Sequence, residues 1–121
     1  MQEFRSAIEA RDLDGVVALF TDDVVFRSPV VHAPYQGRDQ AMVLFGAVAQ
    51  VFEEFRYTRE IGAPGAADQA LVFRARVGDR EVEGCDFLHV NDEGLIDEVC
   101  VMVRPATGLM ALAEAMKHQL A

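Results

Sequence analysis

The segment Gln69–Arg104, QALVFRARVGDREVEGCDFLHVNDEGLIDEVCVMVR, decides the fold. Three runs, residues 69–77, 80–90 and 94–104, are rich in β-branched and aromatic residues and alternate in polarity. Gly78-Asp79 and Asn91-Asp92-Glu93-Gly94 separate them and read as hairpin turns. The prediction is a meander of antiparallel strands. In the first run Leu71, Phe73, Ala75 and Val77 oppose Val72, Arg74 and Arg76; in the last, Val99, Val101 and Val103 share a face. In the middle run Val82, Gly84, Asp86, Leu88 and Val90 point one way, and Glu83, Cys85, Phe87 and His89 the other. The more apolar face therefore carries a carboxylate, Asp86.

Outward from this meander, residues 52–61 read as a further strand and residues 62–68 as a loop. Residues 3–10 form a helix through Phe4, Ala7 and Ile8, and residues 14–20 a second, N-capped by Asp14. Thr21, Asp22 and Asp23 read as a turn before a strand over 24–28 that Pro29 ends. Residues 29–37 are an irregular connection, and residues 38–52 a helix with the stripe Met42, Phe45, Val48 and Ala49. A last amphipathic helix closes the chain through Leu109, Leu112 and Met116. The expected class is α+β: helices packed on one face of a curved sheet, in one domain spanning residues 1–121.

A net charge of −9 repels phosphate backbones, so no nucleic-acid partner is expected. No apolar run approaches the ~18 residues of a membrane span, and the charged start MQEFRSAIEARD does not read as a signal peptide. A cytoplasmic protein with no membrane partner is expected. The two cysteines, Cys85 and Cys100, lack CxxC spacing and read as reduced thiols, although their shared sheet face permits a disulfide. His32, His89 and His118 lack metal-ligand spacing, so no metal is expected.

The segment LDGVVALFTDDVVFRSPV (13–30), followed by YQGRDQAMVLF (35–45), resembles the NTF2-like superfamily, in its ketosteroid isomerase and SnoaL-like branch. The resemblance rests on a short helix ending in ALF, an Asp pair, a strand, a proline, and a glycine opening the next helix. It implies a cone: helices on the concave side of a strongly bent, mostly antiparallel sheet, enclosing a deep apolar pocket. It also implies a homodimer through the outer sheet face. In the isomerases a protonated acid on the equivalent strand donates a hydrogen bond to the substrate oxyanion, and Asp86 falls at that position. Ketosteroid isomerase is itself a standard example of a carboxyl held neutral by an apolar site. Independently, Leu71, Phe73, Leu88, Val99 and Val101 are predicted to face the same interior as Asp86, and burial among them raises an acid's pKa.

The departures are equally informative. The family's general base, an aspartate before the proline, is Ser28 here, and the oxyanion tyrosine of the first helix is Phe4. A standard ketosteroid isomerase is therefore not expected. The Asp-Arg-Asp set of the limonene epoxide hydrolase branch is not matched by Arg74 and Arg76 either.

The candidate catalytic residues are Asp86, as oxyanion donor, and His32, as a base near neutral pH beside the pocket mouth. The candidate ligand-binding residues are Phe4, Phe26, Ser28, Tyr35, Phe45, Phe73, Leu88, Val99 and Val101. Asp86 has a bland alternative: a buried carboxyl satisfied by a backbone amide or Tyr35, or one reaching solvent at the mouth. The expected function is cofactor-free isomerisation, dehydration or cyclisation of a small hydrophobic carbonyl or polyketide-like molecule. The alternative is a non-catalytic ligand-binding or dimerisation module. On the outer face, Val72, Cys85, Phe87 and His89 suggest a dimer seam, and Arg74 and Arg76 suggest ion pairs to Glu81 and Glu83.

Overall fold

The computed structural model describes residues 2–121. Its elements are α1 (Gln2–Glu9), α2 (Leu13–Val17), β1 (Phe20–Arg27), β2 (Tyr35–Gln36), α3 (Arg38–Val51), β3 (Glu53–Ile61), β4 (Asp68–Val77), β5 (Arg80–Val90), β6 (Ile96–Arg104) and α4 (Ala106–Leu120). They form the expected α+β fold. The strands make one sheet in the order β2-β1-β6-β5-β4-β3. From β3 to β6 every neighbour is antiparallel, as the alternating runs predict. The other end departs from a meander: β1 lies parallel to β6, pairing Phe26 with Val99, and β2 pairs antiparallel with β1. The sheet is bent and unclosed, and the helices cover its inner face. There Phe4, Phe20, Leu71, Phe73, Leu88, Ile96 and Val99 are fully buried.

Three local readings are corrected. The α2 N-cap is Asp12 and not Asp14: the Asp12 carboxylate accepts from the Gly15 N–H at 3.0 Å. Thr21–Asp23 belong to β1 rather than to a turn, because Phe20 at the strand start is buried and pairs with Ile96. In α3 the buried stripe is Ala41, Leu44, Ala47 and Val51, whereas Met42, Phe45 and Val48 are only partly buried against the core.

β3 carries a bulge where the register shifts between Glu53 and Arg56, with Glu54 at φ 55°. Phe55 and Tyr57, two residues apart, both turn to the inner face after it, and Phe55 stacks on Phe73 at 4.9 Å between ring centroids. At the far end of β3, Glu60 accepts from Arg5 at 2.9 Å and thereby ties α1 to the sheet.

On the outer face Arg74 pairs with Glu83, as expected, and Glu83 also takes Arg104. Arg76 turns instead to Glu53 and Glu54 on β3. Phe87, Met102 and Ile61 stay exposed there. Cys85 and Cys100 are free thiols.

Candidate functional site

Asp86 lies in the middle of β5, flanked across the sheet by Leu71 of β4 and Val101 of β6. It is 7% exposed and is the one buried charged residue among the described residues. The Tyr57 hydroxyl donates to Asp86 Oδ2 at 2.7 Å. Tyr57 reaches it from β3, over the intervening β4. Burial lifts the Asp86 pKa to about 7, and the hydrogen bond from Tyr57 acts in the opposite sense. Burial and the nearby Asp86 charge push the Tyr57 phenol well above its ordinary value, so it stays protonated. One carboxyl oxygen is thus held by Tyr57. At or below neutral pH the acid has a proton to offer to a third partner.

Asp86 and Tyr57 line a cavity of about 350 Å³ between the helices and the sheet. Phe26, Phe45, Phe52, Phe55 and Phe73 contribute aromatic wall, and Val16, Leu44, Val101, Leu112 and Met116 aliphatic wall. Asp86 and Tyr57 form its buried polar end. Its exposed lining residues, Arg11, Asp12, Val30 and Gln50, mark the mouth. They come from the α1–α2 turn, the β1–β2 connection and the last turn of α3. A largely apolar chamber with a few convergent polar groups is the usual form of a small-molecule site. Among the described residues no three His, Cys, Asp or Glu side chains gather as a metal site.

A model of the SnoaL-like domain matches residues 1–99. The chain belongs to the SnoaL-like family. A solved steroid delta-isomerase from Pseudomonas aeruginosa superposes with a TM-score of 0.92 at 41% identity, over 98% of this chain and 87% of that one. An uncharacterized bacterial protein with a cystatin-like fold from Silicibacter pomeroyi gives 0.92 at 34% identity, over 98% and 83%. At 20% identity, where the likeness shows the fold alone, an epoxide hydrolase/cyclase-like enzyme of pyran-ring formation in salinomycin gives 0.69, over 88% of each chain. No curated protein matches the chain.

Within this SnoaL-like frame, Asp86, Phe26, Ser28, Phe45, Phe73 and Val101 all line the cavity. Phe4, Leu88 and Val99 do not: they are fully buried in the packed core, Phe4 wedged edge-on against Phe45. Tyr35 also lies outside the wall, half-buried on β2. Asp86 therefore takes its hydroxyl partner from Tyr57 and not from Tyr35. His32 is exposed on the β1–β2 connection and is not part of the cavity wall. Its neighbours Ser28, Pro29 and Val30 are, because the Ser28 hydroxyl accepts from the Val30 N–H at 3.0 Å and folds the chain there.

Tyr57, Phe52 and Phe55 were not singled out from sequence. The available signal was the alternation of Phe55 and Tyr57 in a strand otherwise full of charges. Two apolar rings at that spacing mark a face turned to the core.

Proposed function

We propose that this protein takes a small hydrophobic carbonyl compound into the cavity and catalyses proton transfer on it without a cofactor. The reaction is an isomerisation, dehydration or cyclisation. The observation that carries this reading is a single one: a buried acid, oriented by Tyr57, at the closed end of an aromatic chamber. Its raised pKa leaves much of it neutral near pH 7. Neutral Asp86 donates a hydrogen bond to the carbonyl oxygen, and that bond strengthens as negative charge develops there. Tyr57 holds the other carboxyl oxygen and fixes the donor's direction. The likeness to a steroid delta-isomerase supports a flat alicyclic ketone as the ligand shape. The substrate proton leaves through water to bulk solvent at the open mouth, since Ser28 is no base and His32 lies off the wall. The protein works in the cytoplasm as a homodimer joined through the outer sheet face around Phe87 and Met102, both exposed in the single chain.

A second reading has its own support. With serine at the base position and no histidine lining the cavity among the described residues, the chamber suits binding without turnover.

The two readings separate in one experiment. Binding of 2-naphthol is followed by fluorescence, and α-proton exchange of 2-tetralone in D2O by proton NMR. Catalysis predicts both, with exchange reduced by about tenfold or more in Asp86→Asn. Binding without exchange establishes the module. Absence of binding removes both.

A further inference from the structure

Arg11 occupies left-handed backbone, φ 55°. Its N–H bonds the Ile8 carbonyl at 3.0 Å, and the next N–H, of Asp12, bonds the Ala7 carbonyl at 2.9 Å. These paired bonds end α1 in the manner that usually places glycine at the left-handed position. An arginine there bears a Cβ that strains the conformation. A residue held in such a conformation at the rim of a cavity asks for a reason in its side chain.

The side chain reaches from the α1–α2 turn to the end of α3, where Nη1 donates to the Ala49 carbonyl at 3.2 Å. The bond is exposed. It uses one of the five N–H donors of the guanidinium, and the rest are open to another acceptor. Among the described residues lining the cavity, Arg11 is the one cation. Arg11 is exposed, whereas Asp86 and Tyr57 are buried, and most of the remaining lining is apolar. Asp12, beside Arg11, is committed through Oδ1 to the Gly15 N–H.

We infer that Arg11 selects a ligand with a carboxylate at the end remote from the oxygen held by Asp86: a flat, apolar oxo- or hydroxy-acid. This rests on the cavity being a ligand site, as proposed above. The carboxylate replaces the Ala49 carbonyl on the guanidinium, exchanging an exposed neutral acceptor for a charged, bidentate one. A chain of net charge −9 does not attract anions as a whole, so the preference is local to this residue.

The test compares 2-naphthol with 6-hydroxy-2-naphthoic acid, which adds a carboxylate across the same flat ring from the phenol. Both are titrated by fluorescence at pH 6, where Asp86 is mostly protonated, and the ratio of their affinities is read. Wild type is expected to favour the acid about tenfold. Arg11→Gly, which suits the left-handed turn, abolishes the preference, Arg11→Lys keeps part of it, and Asp12→Asn increases it. Equal affinities in wild type overturn the inference, as does a preference that survives Arg11→Gly. If 2-naphthol binds without any preference for the acid, Arg11 alone falls. If the acid binds through Arg11 while 2-naphthol does not bind, the Asp86 reading falls and Arg11 stands. If neither binds, both fall.

Discussion

Tyr57 on β3 donates to Asp86 on β5 across 2.7 Å, although β4 lies between their strands. The bond crosses the inner face over β4, whose Phe73 pairs with Tyr57 and whose Leu71 pairs with Asp86. It settles what a carboxyl does on an apolar sheet face. The acid is neither exposed nor paired to a cation; it shares a proton donor and stays poised between its two states.

Removing the hydroxyl tests the sharing. In Tyr57→Phe the bond that lowers the Asp86 pKa is gone while burial remains, so the acid should titrate higher than about 7. A buried oxygen also loses its partner, at a cost of about 1–3 kcal/mol of stability. Denaturant melts and a carboxyl titration of the variant check both.

The same acid ties stability to pH. Its folded pKa of about 7 lies above the unfolded value, so its neutral form favours the fold. That contribution is complete below about pH 4 and is lost as pH rises through about 7, roughly 4 kcal/mol between the limits. Wild type should therefore lose stability relative to Asp86→Asn between pH 4 and 8. Paired urea melts read the difference and cancel the other titrating groups.

Gly84 makes room for the chamber's aromatic wall. A Cβ there would collide with the Phe73 ring at Cζ and stand 2.8 Å from the Met102 carbonyl oxygen. Gly84→Ala should cost about 1–3 kcal/mol as the Phe73 ring is displaced. Because Phe73 lines the cavity, 2-naphthol affinity should fall with it. An unchanged melting curve would show that the ring yields freely.

Ser28 lines the cavity, at the position to which the resemblance assigns the isomerases' base. An aspartate there can still accept from the Val30 N–H, as the serine does at 3.0 Å. Ser28→Asp should bring measurable isomerisation of a β,γ-unsaturated ketosteroid, seen as the absorbance of the conjugated enone. No gain over wild type would mean that the carboxylate misses the carbon beside the held carbonyl.

Phe87, exposed on the outer face between Ala70 and Cys100, probes assembly. Wild type should scatter light as a dimer and Phe87→Glu as a monomer. Equal masses would remove the outer face as the seam.

Much of this was legible in the sequence because period-two alternation is rigid. Asp86, Leu71 and Val101 were placed on one face correctly, and their register carries them side by side. Tyr57 was harder. Its partner is 29 residues away, and only the strand order, together with the bulge at Glu54, brings the two tips together. The α3 stripe was misread because the helix is apolar on two sides. Ala41 and Ala47 meet the packed core while Phe45 and Val48 line the chamber, so hydrophobicity alone does not pick the buried side. At Thr21–Asp23 the local turn preference lost to the pairing of Phe20 and Val25, on either side, with distant β6. Arg11 was not legible as a mouth residue because it sits where helix-termination rules expect glycine.

The most direct measurement is a carboxyl NMR titration of Asp86, assigned by comparison with Asp86→Asn. A midpoint near 7, well above the ~3.9 of a free aspartate, is the value expected for an acid lying in an apolar chamber under the Tyr57 hydroxyl. A midpoint at or below about 4 would mean a solvated or ion-paired carboxylate, and would contradict its role as a proton donor to a bound carbonyl.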